Sequence, residues 1–232
     1  MSGPLIVIDG PAGAGKSTVA TAVAQRIGAA LLDTGAIYRA LAWLARERGV
    51  SWDEEVSLAG LASEIAIEFR PVSEVGARQQ VLLVAPVAAE LTDVIRTPAI
   101  SEGASRVSRH PAVRGALLGI QRAIAARAIA ASGCVAEGRD MGTVVFPDAA
   151  HKFFLTASRA TRADRRFREL AAKGLQGSVA EVEADIARRD ERDSSRDVAP
   201  LARAEDAVLI DSSGLDIEQV VARILDGVNP PA

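Results

Sequence analysis

The chain has 232 residues, and its 27 basic side chains against 30 acidic ones give a formal net charge of −3. This length allows one domain with insertions or two small domains, and the 49% apolar residues supply a sizeable core. The slightly acidic charge balance argues against a nonspecific nucleic-acid binder.

The first predicted element is an apolar strand, residues 5–9, followed by glycines and then by Lys16 and Ser17, which open a helical pattern. Gly10, Gly15, Lys16 and Ser17 fit G-x-x-x-x-G-K-[ST], the phosphate-binding P-loop. Glycines let several backbone N–H groups point at one phosphate, and the following helix adds its positive end. Lys16 can reach the β- and γ-phosphates, and the Ser17 hydroxyl can bind Mg²⁺. The alternative is a glycine-rich turn without a ligand.

The next elements predict an α/β core. Residues 15–28 form a helical pattern that ends at Gly28, residues 30–32 form a short strand, and a second helix runs from residue 33 to Gly49. A strand–helix–strand–helix opening indicates a parallel sheet with helices on both faces. Parallel core strands are predicted at 5–9, 30–32, 133–136, 151–155 and 207–210.

The middle of the chain departs from this pattern. Residues 65–70 alternate and residues 79–85 are β-like, with the turn formers Pro71, Ser73 and Gly76 between them, which predicts an antiparallel hairpin inserted into the core. The remaining helices are predicted at 98–131 with a break near His110, at 159–172, at 179–196 and at 217–225.

Several features predict the setting of the protein. Its one cysteine, Cys134, lies in a small apolar run and is expected to be a buried, inert thiol. No stretch approaches 18 uncharged apolar residues, and the chain opens without a basic segment followed by an apolar one. We therefore expect a cytoplasmic monomer without a membrane or nucleic-acid partner.

Two loops at predicted strand ends indicate a second ligand. Residues 33–39 follow the second strand, and Arg39 one turn into the helix can hold a phosphate bidentately, although a helix cap with a surface arginine would look the same. Residues 137–143 carry charges on both sides of a glycine, which favours ligand contact over a structural turn.

A third, arginine-rich stretch covers residues 188–196. On one continuous helix it would present a stripe of like charge that a triphosphate could neutralise. This stripe consists of Arg188, Arg192 and Arg196. A second stripe, which pairs internally, consists of Asp185, Arg189 and Asp193. Basic side chains on the preceding helix extend the surface: Arg162, Arg165 and Arg166. The alternative is a solvated helix face with salt bridges.

Together these stretches predict two anionic ligands, a nucleoside triphosphate on the P-loop and a phosphate-bearing acceptor held by Arg39 and Arg139. Phosphoryl transfer fits, because Lys, Arg and Mg²⁺ can stabilise its transition state by positioning and electrostatics. A nucleotide-gated switch is a competing hypothesis, since residues 211–214 imitate D-x-x-G and residues 208–211 imitate a Walker B strand.

Four motifs give the chain a close resemblance to bacterial cytidylate kinases over nearly its whole length. The motifs occupy residues 8–17, 32–39, 137–148 and 189–201, and the Gly-Arg-Asp-Met-Gly-Thr block starting at Gly138 is the most distinctive. The resemblance implies ATP-dependent phosphorylation of CMP and dCMP. Another small P-loop kinase acting on a different monophosphate is the runner-up.

The resemblance also implies an organisation as one nucleoside-monophosphate-kinase domain with a five-stranded parallel core, a small antiparallel insert and a helical lid. The core would comprise about residues 1–34, 133–158 and 200–228. The monophosphate-binding region with its insert would be about residues 35–131, and the lid about residues 159–197.

The same resemblance assigns roles to residues. The ATP site would comprise Gly10, Pro11, Ala12, Gly13, Ala14, Gly15, Lys16, Ser17, Thr18 and Arg162, with Ser17 on Mg²⁺. The CMP site would comprise Thr34, Tyr38, Arg39, Ser105, Arg114, Arg139, Asp140, Arg189, Asp193 and Arg196. The catalytic residues would be Lys16, Arg139, Arg189 and Arg196. Within the CMP site, cytosine would be read by Ser105, Arg114 and Asp140.

Overall fold

A computed structural model of the chain describes residues 2–70, 79–172, 174, 177–196 and 198–228. Within these residues the strands are β1 (Leu5–Asp9), β2 (Ala30–Asp33), β3 (Ala66–Arg70), β4 (Gln80–Ala85), β5 (Ala89–Glu90), β6 (Cys134–Glu137), β7 (His151–Thr156) and β8 (Val208–Asp211). The α-helices are α1 (Lys16–Ile27), α2 (Thr34–Glu47), α3 (Glu55–Glu64), α4 (Pro98–Val107), α5 (Pro111–Ala131), α6 (Arg159–Ala172), α7 (Val179–Ser194) and α8 (Ile217–Val228). A 3₁₀ turn covers Val94–Arg96, and a π-helical turn covers Met141–Val145.

The five-stranded parallel sheet has the strand order β2-β6-β1-β7-β8. The pairings of β1 with β7 and of β7 with β8 are both parallel, and Ile8 lies opposite Phe153. In the central strand β1, Ile6, Val7 and Ile8 are fully buried, as expected for a parallel strand covered on both faces. The predicted α/β fold is confirmed, and each predicted core strand begins and ends within one residue of the observed strand.

Contacts divide the chain into two compact units. The first unit is mainly Ala30–Cys134, and the second comprises Pro4–Ala29 together with the residues from Val135 onward. The assignment of the whole chain to one kinase domain with core, monophosphate-binding and lid regions stays a prediction.

The first unit combines helices with a small sheet. Helix α2 packs against α4, and α3 packs against α5. The sheet has the order β3-β4-β5, and its antiparallel register places Phe69 opposite Val81. This confirms the predicted antiparallel insertion, while its predicted turn, residues 71–78, lies outside the described residues. Helix α3 was not predicted. Only Leu58 and Ala62 of its ten residues are buried, so its sequence shows no regular apolar stripe.

In the second unit, helices α6 and α7 pack on each other through a small apolar cluster of Ala163, Val182 and Ile186. A capping box between Ser178 and Glu181 starts α7.

Helix α7 ends at Ser194, so Arg196 lies beyond it and the predicted three-arginine stripe is wrong. In the second stripe, which was predicted to pair internally, the charge of Arg189 acts on Asp193 and lowers the pKa of its carboxyl group, while Asp185 pairs with Arg188 at the exposed surface.

Cys134 is buried at the start of β6, and burial raises the pKa of its thiol to about 12. The prediction of a buried, unreactive thiol is therefore confirmed. Within the described ranges, every helix is too short or too polar to cross a bilayer.

Gly10, directly after β1, allows a close approach of two chain segments. Its φ is 149°, and a Cβ there would lie 1.9 Å from the carbonyl oxygen of Leu155 in β7. The Leu155 carbonyl belongs to backbone held in the sheet, and Gly10 directly follows a sheet strand, so little relaxation is possible. We expect Gly10→Ala to lower the free energy of unfolding by about 2–4 kcal/mol in urea denaturation.

The matched control for this substitution is Gly60→Ala. Gly60 is an exposed residue in α3 whose added Cβ would meet no atom within 4 Å. We expect it to leave stability unchanged or raise it by about 0.5–1 kcal/mol. Equal stabilities of the two variants would contradict the assigned close approach.

Candidate active site

The P-loop backbone takes conformations that favour glycine. Gly10, Gly13 and Gly15 have φ values of 149°, 74° and 91°, and α1 begins at the next residue, Lys16. The loop therefore curls in front of the N-terminal end of a helix, which is the arrangement that binds phosphate. Ser17 and Thr18 lie exposed in the first turn of α1.

Lys16 is buried, and its Nζ donates a hydrogen bond to the Pro11 carbonyl at 2.9 Å. Burial and then the neighbouring Arg139 guanidinium lower the pKa of Lys16 well below its usual value. Among smaller effects, the Glu137 carboxylate raises it and Arg189 lowers it again. An anion bound on the loop would offset this repulsion and favour the charged ammonium.

Asp9, the last residue of β1, holds the loop that follows β6. Its two carboxylate oxygens accept the backbone N–H groups of Met141 and Gly142 at 2.9 and 2.7 Å. Burial raises the pKa of Asp9 to about 6, against the lowering effect of these two hydrogen bonds. Asp9 was not among the predicted site residues, although an acid at the end of an otherwise apolar strand was a visible signal.

Arg139 links this second loop to the P-loop. Its Nη1 donates to the Gly10 carbonyl at 3.0 Å, and its Nε donates to Asp193 at 2.9 Å. Asp193 also pairs with Arg196. Burial alone would raise the pKa of Asp193, but Arg139, Arg196 and Arg189 outweigh it and lower the pKa. Four predicted site residues are therefore close together beside the P-loop: Arg139, Arg189, Asp193 and Arg196.

Asp140 and Arg162 are also placed in the second unit. Asp140 is buried, and its charge acts on nearby Asp9. Arg162 donates from Nη1 to the Ala12 carbonyl at 2.9 Å, which places it on the P-loop, and its role in the ATP site stays a prediction. Arg165 donates to the Ala14 carbonyl at 3.5 Å.

A separate cluster lies in the first unit around Asp33. This residue caps α2 by accepting the Ala36 N–H at 2.9 Å, and it pairs with Arg39 through Nη2 at 3.0 Å. Arg96 also reaches Asp33, at 3.5 Å, and was missed because nothing local in the sequence marks it. Thr34 is buried in the first turn of α2.

The predicted cytosine-reading residues of the first unit lie near the α4–α5 junction. The Arg114 guanidinium carbon lies 5.6 Å from the centroid of the Tyr38 ring, and Arg114 Nη1 donates to the Ser108 carbonyl at 3.3 Å. The Ser108 hydroxyl in turn donates to the carbonyl of Ser105, 3.1 Å away. Both Ser105 and Arg114 are buried.

The stretch that imitates a Walker B strand has a local role. Asp211 ends the edge strand β8, where it accepts the N–H and the hydroxyl of Ser213 at 2.9 and 2.6 Å. These hydrogen bonds lower the pKa of Asp211, and the side chain serves as a turn cap.

A P-loop after the central strand of a parallel sheet, with arginines and a lysine gathered on it, defines a P-loop nucleotide-binding protein of the α/β class. One solved structure of similar fold is an uncharacterised protein from Eubacterium ventriosum ATCC 27560, with a TM-score of 0.50 and 11% identity, covering 98% of this chain and 99% of that one.

Sequence comparison narrows this class. The family model described as cytidylate kinase matches residues 6–230. The cytidylate kinase of Pseudomonas aeruginosa (strain LESB58) is 49% identical over 222 residues, covering 96% of this chain and 93% of the relative. That of Geobacter sulfurreducens is 48% identical over 222 residues, covering 96% and 91%. The chain belongs to the cytidylate kinase family, which confirms the resemblance stated above.

The raised pKa of Asp9 predicts a pH dependence of stability. The folded state binds this proton more tightly than the unfolded chain, so the contribution of Asp9 is full below about pH 4 and is lost as the pH rises through about 6. Urea titrations give the free energy of unfolding of the wild type and of Asp9→Asn. The wild-type value minus the variant value should fall by up to about 3 kcal/mol between pH 4 and 7.5.

Taking the difference between the two proteins removes the titration of other groups, except for the neighbouring Asp140 and Lys16, whose charges act on Asp9. A difference that stays constant over this range, or one that rises with pH, would contradict the burial-dominated environment of Asp9.

Proposed function

We propose that the protein transfers the γ-phosphoryl group of ATP directly to CMP or dCMP, giving CDP or dCDP and ADP. The observation that carries this proposal is Arg139: the distinctive arginine of the Gly-Arg-Asp-Met-Gly-Thr block donates to the first glycine of the P-loop. A family motif and a phosphate-binding loop thus meet at one hydrogen bond, in a chain that belongs to the cytidylate kinase family.

ATP is the donor and binds through residues 10–18 and Arg162. The curled backbone of the loop and the glycines at positions 13 and 15 fit a polyphosphate, because no Cβ stands at either glycine. Mg²⁺ fits the exposed Ser17 hydroxyl together with phosphate oxygens, an arrangement this ion favours. When bound, it would neutralise charge on the β- and γ-phosphates.

CMP is the acceptor, and its phosphate is assigned to Arg39, Arg139 and Arg196. Because Arg39 is already fixed by Asp33, its guanidinium is ordered for bidentate contact. Cytosine is assigned to Ser105, Arg114 and Asp140, a set that matches the donor at N4 and the acceptors at N3 and O2. The remaining contacts are Thr34, Tyr38, Arg189 and Asp193, of which Arg189 and Asp193 lie on the ribose side.

The chemistry needs no covalent nucleophile. An oxygen of the CMP phosphate attacks the γ-phosphorus, the bond to the β–γ bridging oxygen breaks, and ADP leaves. Negative charge spreads over the phosphoryl oxygens, and Lys16, Arg139, Arg189 and Arg196 stabilise that charge electrostatically. A monomeric state and a cytoplasmic location stay predictions.

An acceptor panel tests the proposal. With ATP and Mg²⁺, we expect ADP formation to depend on added CMP or dCMP and to stay negligible without an acceptor. AMP, UMP and shikimate serve as the comparison acceptors. Turnover with any of these but not with CMP would rule the proposed acceptor out, and rapid ATP hydrolysis without an acceptor would favour a nucleotide switch.

The role of Lys16 is tested by Lys16→Ala. We expect kcat to fall at least about a hundredfold, about 3 kcal/mol of transition-state stabilisation, because a buried cation on the transferred phosphoryl is lost. Arg168→Ala is the control: Arg168 is 77% exposed and pairs with Asp164 on the surface of α6, so kcat should change less than twofold. A near-normal kcat in Lys16→Ala would contradict the assignment.

A further inference from the structure

Two side chains from α6 and α7 hold the crest of the P-loop. The Ala12 carbonyl accepts a hydrogen bond from Arg162 Nη1 at 2.9 Å, and the Ala12 N–H donates to Asp190 Oδ1 at 3.4 Å. Arg162 and Asp190 also pair with each other at 2.6 Å. Both backbone polar groups of Ala12 are thereby fixed, and we call this set of three contacts the Ala12 clamp.

Packing at Gly13 supports the clamp independently. Gly13 has a φ of +74°, and a Cβ there would lie 3.1 Å from Arg162 Cβ and 3.4 Å from Ile186 Cδ1. Ile186 and Asp190 are four residues apart on α7 and therefore lie on one face of the helix. The α6–α7 pair thus packs so closely against the loop that a side chain at position 13 would contact both helices.

The clamp also orients the Arg162 guanidinium. Nε donates to the Ala157 carbonyl at 3.0 Å, and Nη1 is committed to Ala12 and Asp190. Nη2 makes no hydrogen bond to any residue that the structure describes. The Arg162 side chain is only 8% exposed, so its charge depends on Asp190 for a partner.

We propose that Asp190 is a positioning residue for ATP binding: it fixes the Ala12 peptide and directs Arg162 Nη2 toward the donor phosphates. The identification of ATP as the ligand rests on the proposed function. Asp190 acts through Arg162 and the loop and does not itself contact the nucleotide. A carboxylate that competed with phosphate for the Ala12 N–H would have the opposite effect on affinity, which makes the two roles separable.

The test is the dissociation constant for ATP, measured by calorimetry without an acceptor. Asp190→Asn keeps the side-chain volume but removes the charge, and we expect ATP binding to weaken about tenfold because a charge-assisted contact that orients Arg162 is lost. CMP binding should stay within twofold of wild type. Asp185→Asn, on the same helix but paired with Arg188 at the exposed surface, should leave both affinities unchanged.

A double variant tests whether Asp190 acts through Arg162. Arg162→Lys keeps the charge but loses the fork, so it should also weaken ATP binding about tenfold. In that background, Asp190→Asn should add less than a twofold further loss. Independent effects that multiply would overturn the proposal, and so would tighter ATP binding by Asp190→Asn.

A purely structural role gives a different pattern. It would lower the melting temperature of Asp190→Asn while leaving the ATP affinity of the folded protein unchanged, which also overturns the proposal. If Asp190→Asn fails to fold, Arg162→Lys alone decides, since an unchanged ATP affinity there would overturn the proposal. The binding measurement contains no acceptor, so it does not depend on phosphoryl transfer to CMP. A protein that binds ATP but does not phosphorylate CMP would contradict the proposed function without contradicting the proposed role of Asp190.

Discussion

The accumulation of positive charge around one backbone loop is the constraint on which the rest of the structure depends. The charges of Arg139 and Arg189 act on the buried Lys16, and burial together with this repulsion lowers its pKa. Such a cluster destabilises a fold unless carboxylates or an anion balance it. Asp193 pairs with Arg139 and Arg196, and Asp190 pairs with Arg162. A bound polyphosphate would supply the remaining balance, so the affinity for substrate and the cost in stability have the same electrostatic origin.

The arginines reach the P-loop in a regular way. Carbonyl oxygens at alternate positions each accept from a different arginine: Gly10 from Arg139, Ala12 from Arg162 and Ala14 from Arg165. Since these carbonyls are satisfied from outside, the loop keeps a curl in which its amides can serve an anion. The same contacts place guanidinium groups next to the phosphates that the amides would bind. The shape of the loop and the positive charge beside it are therefore set by the same group of side chains.

Sequence reasoning located the features that are local in the chain. The strand Leu5–Asp9, the P-loop and the ends of the charged helix α6 follow from apolar runs, glycines and periodicity, and the structure has them at the predicted residues. Asp9, Arg96 and Asp190 were missed because their roles depend on partners 132, 63 and 178 residues away. Helix α7 stops two residues earlier than predicted, which moves Arg196 off the helix and onto Asp193. Long-range partners of this kind cannot be read from periodicity.

The proposed function requires two nucleotides to bind to different residues. The triphosphate would bind on the P-loop, and the base of the nucleoside monophosphate would bind beside Ser105 and Arg114. A crystal structure with CMP and a non-hydrolysable ATP analogue tests this directly. We expect the cytosine ring within hydrogen-bond distance of Ser105 and Arg114, and the β-phosphate on the amides of residues 13–17. A pyrimidine bound elsewhere, or a triphosphate that does not contact the P-loop, would contradict it.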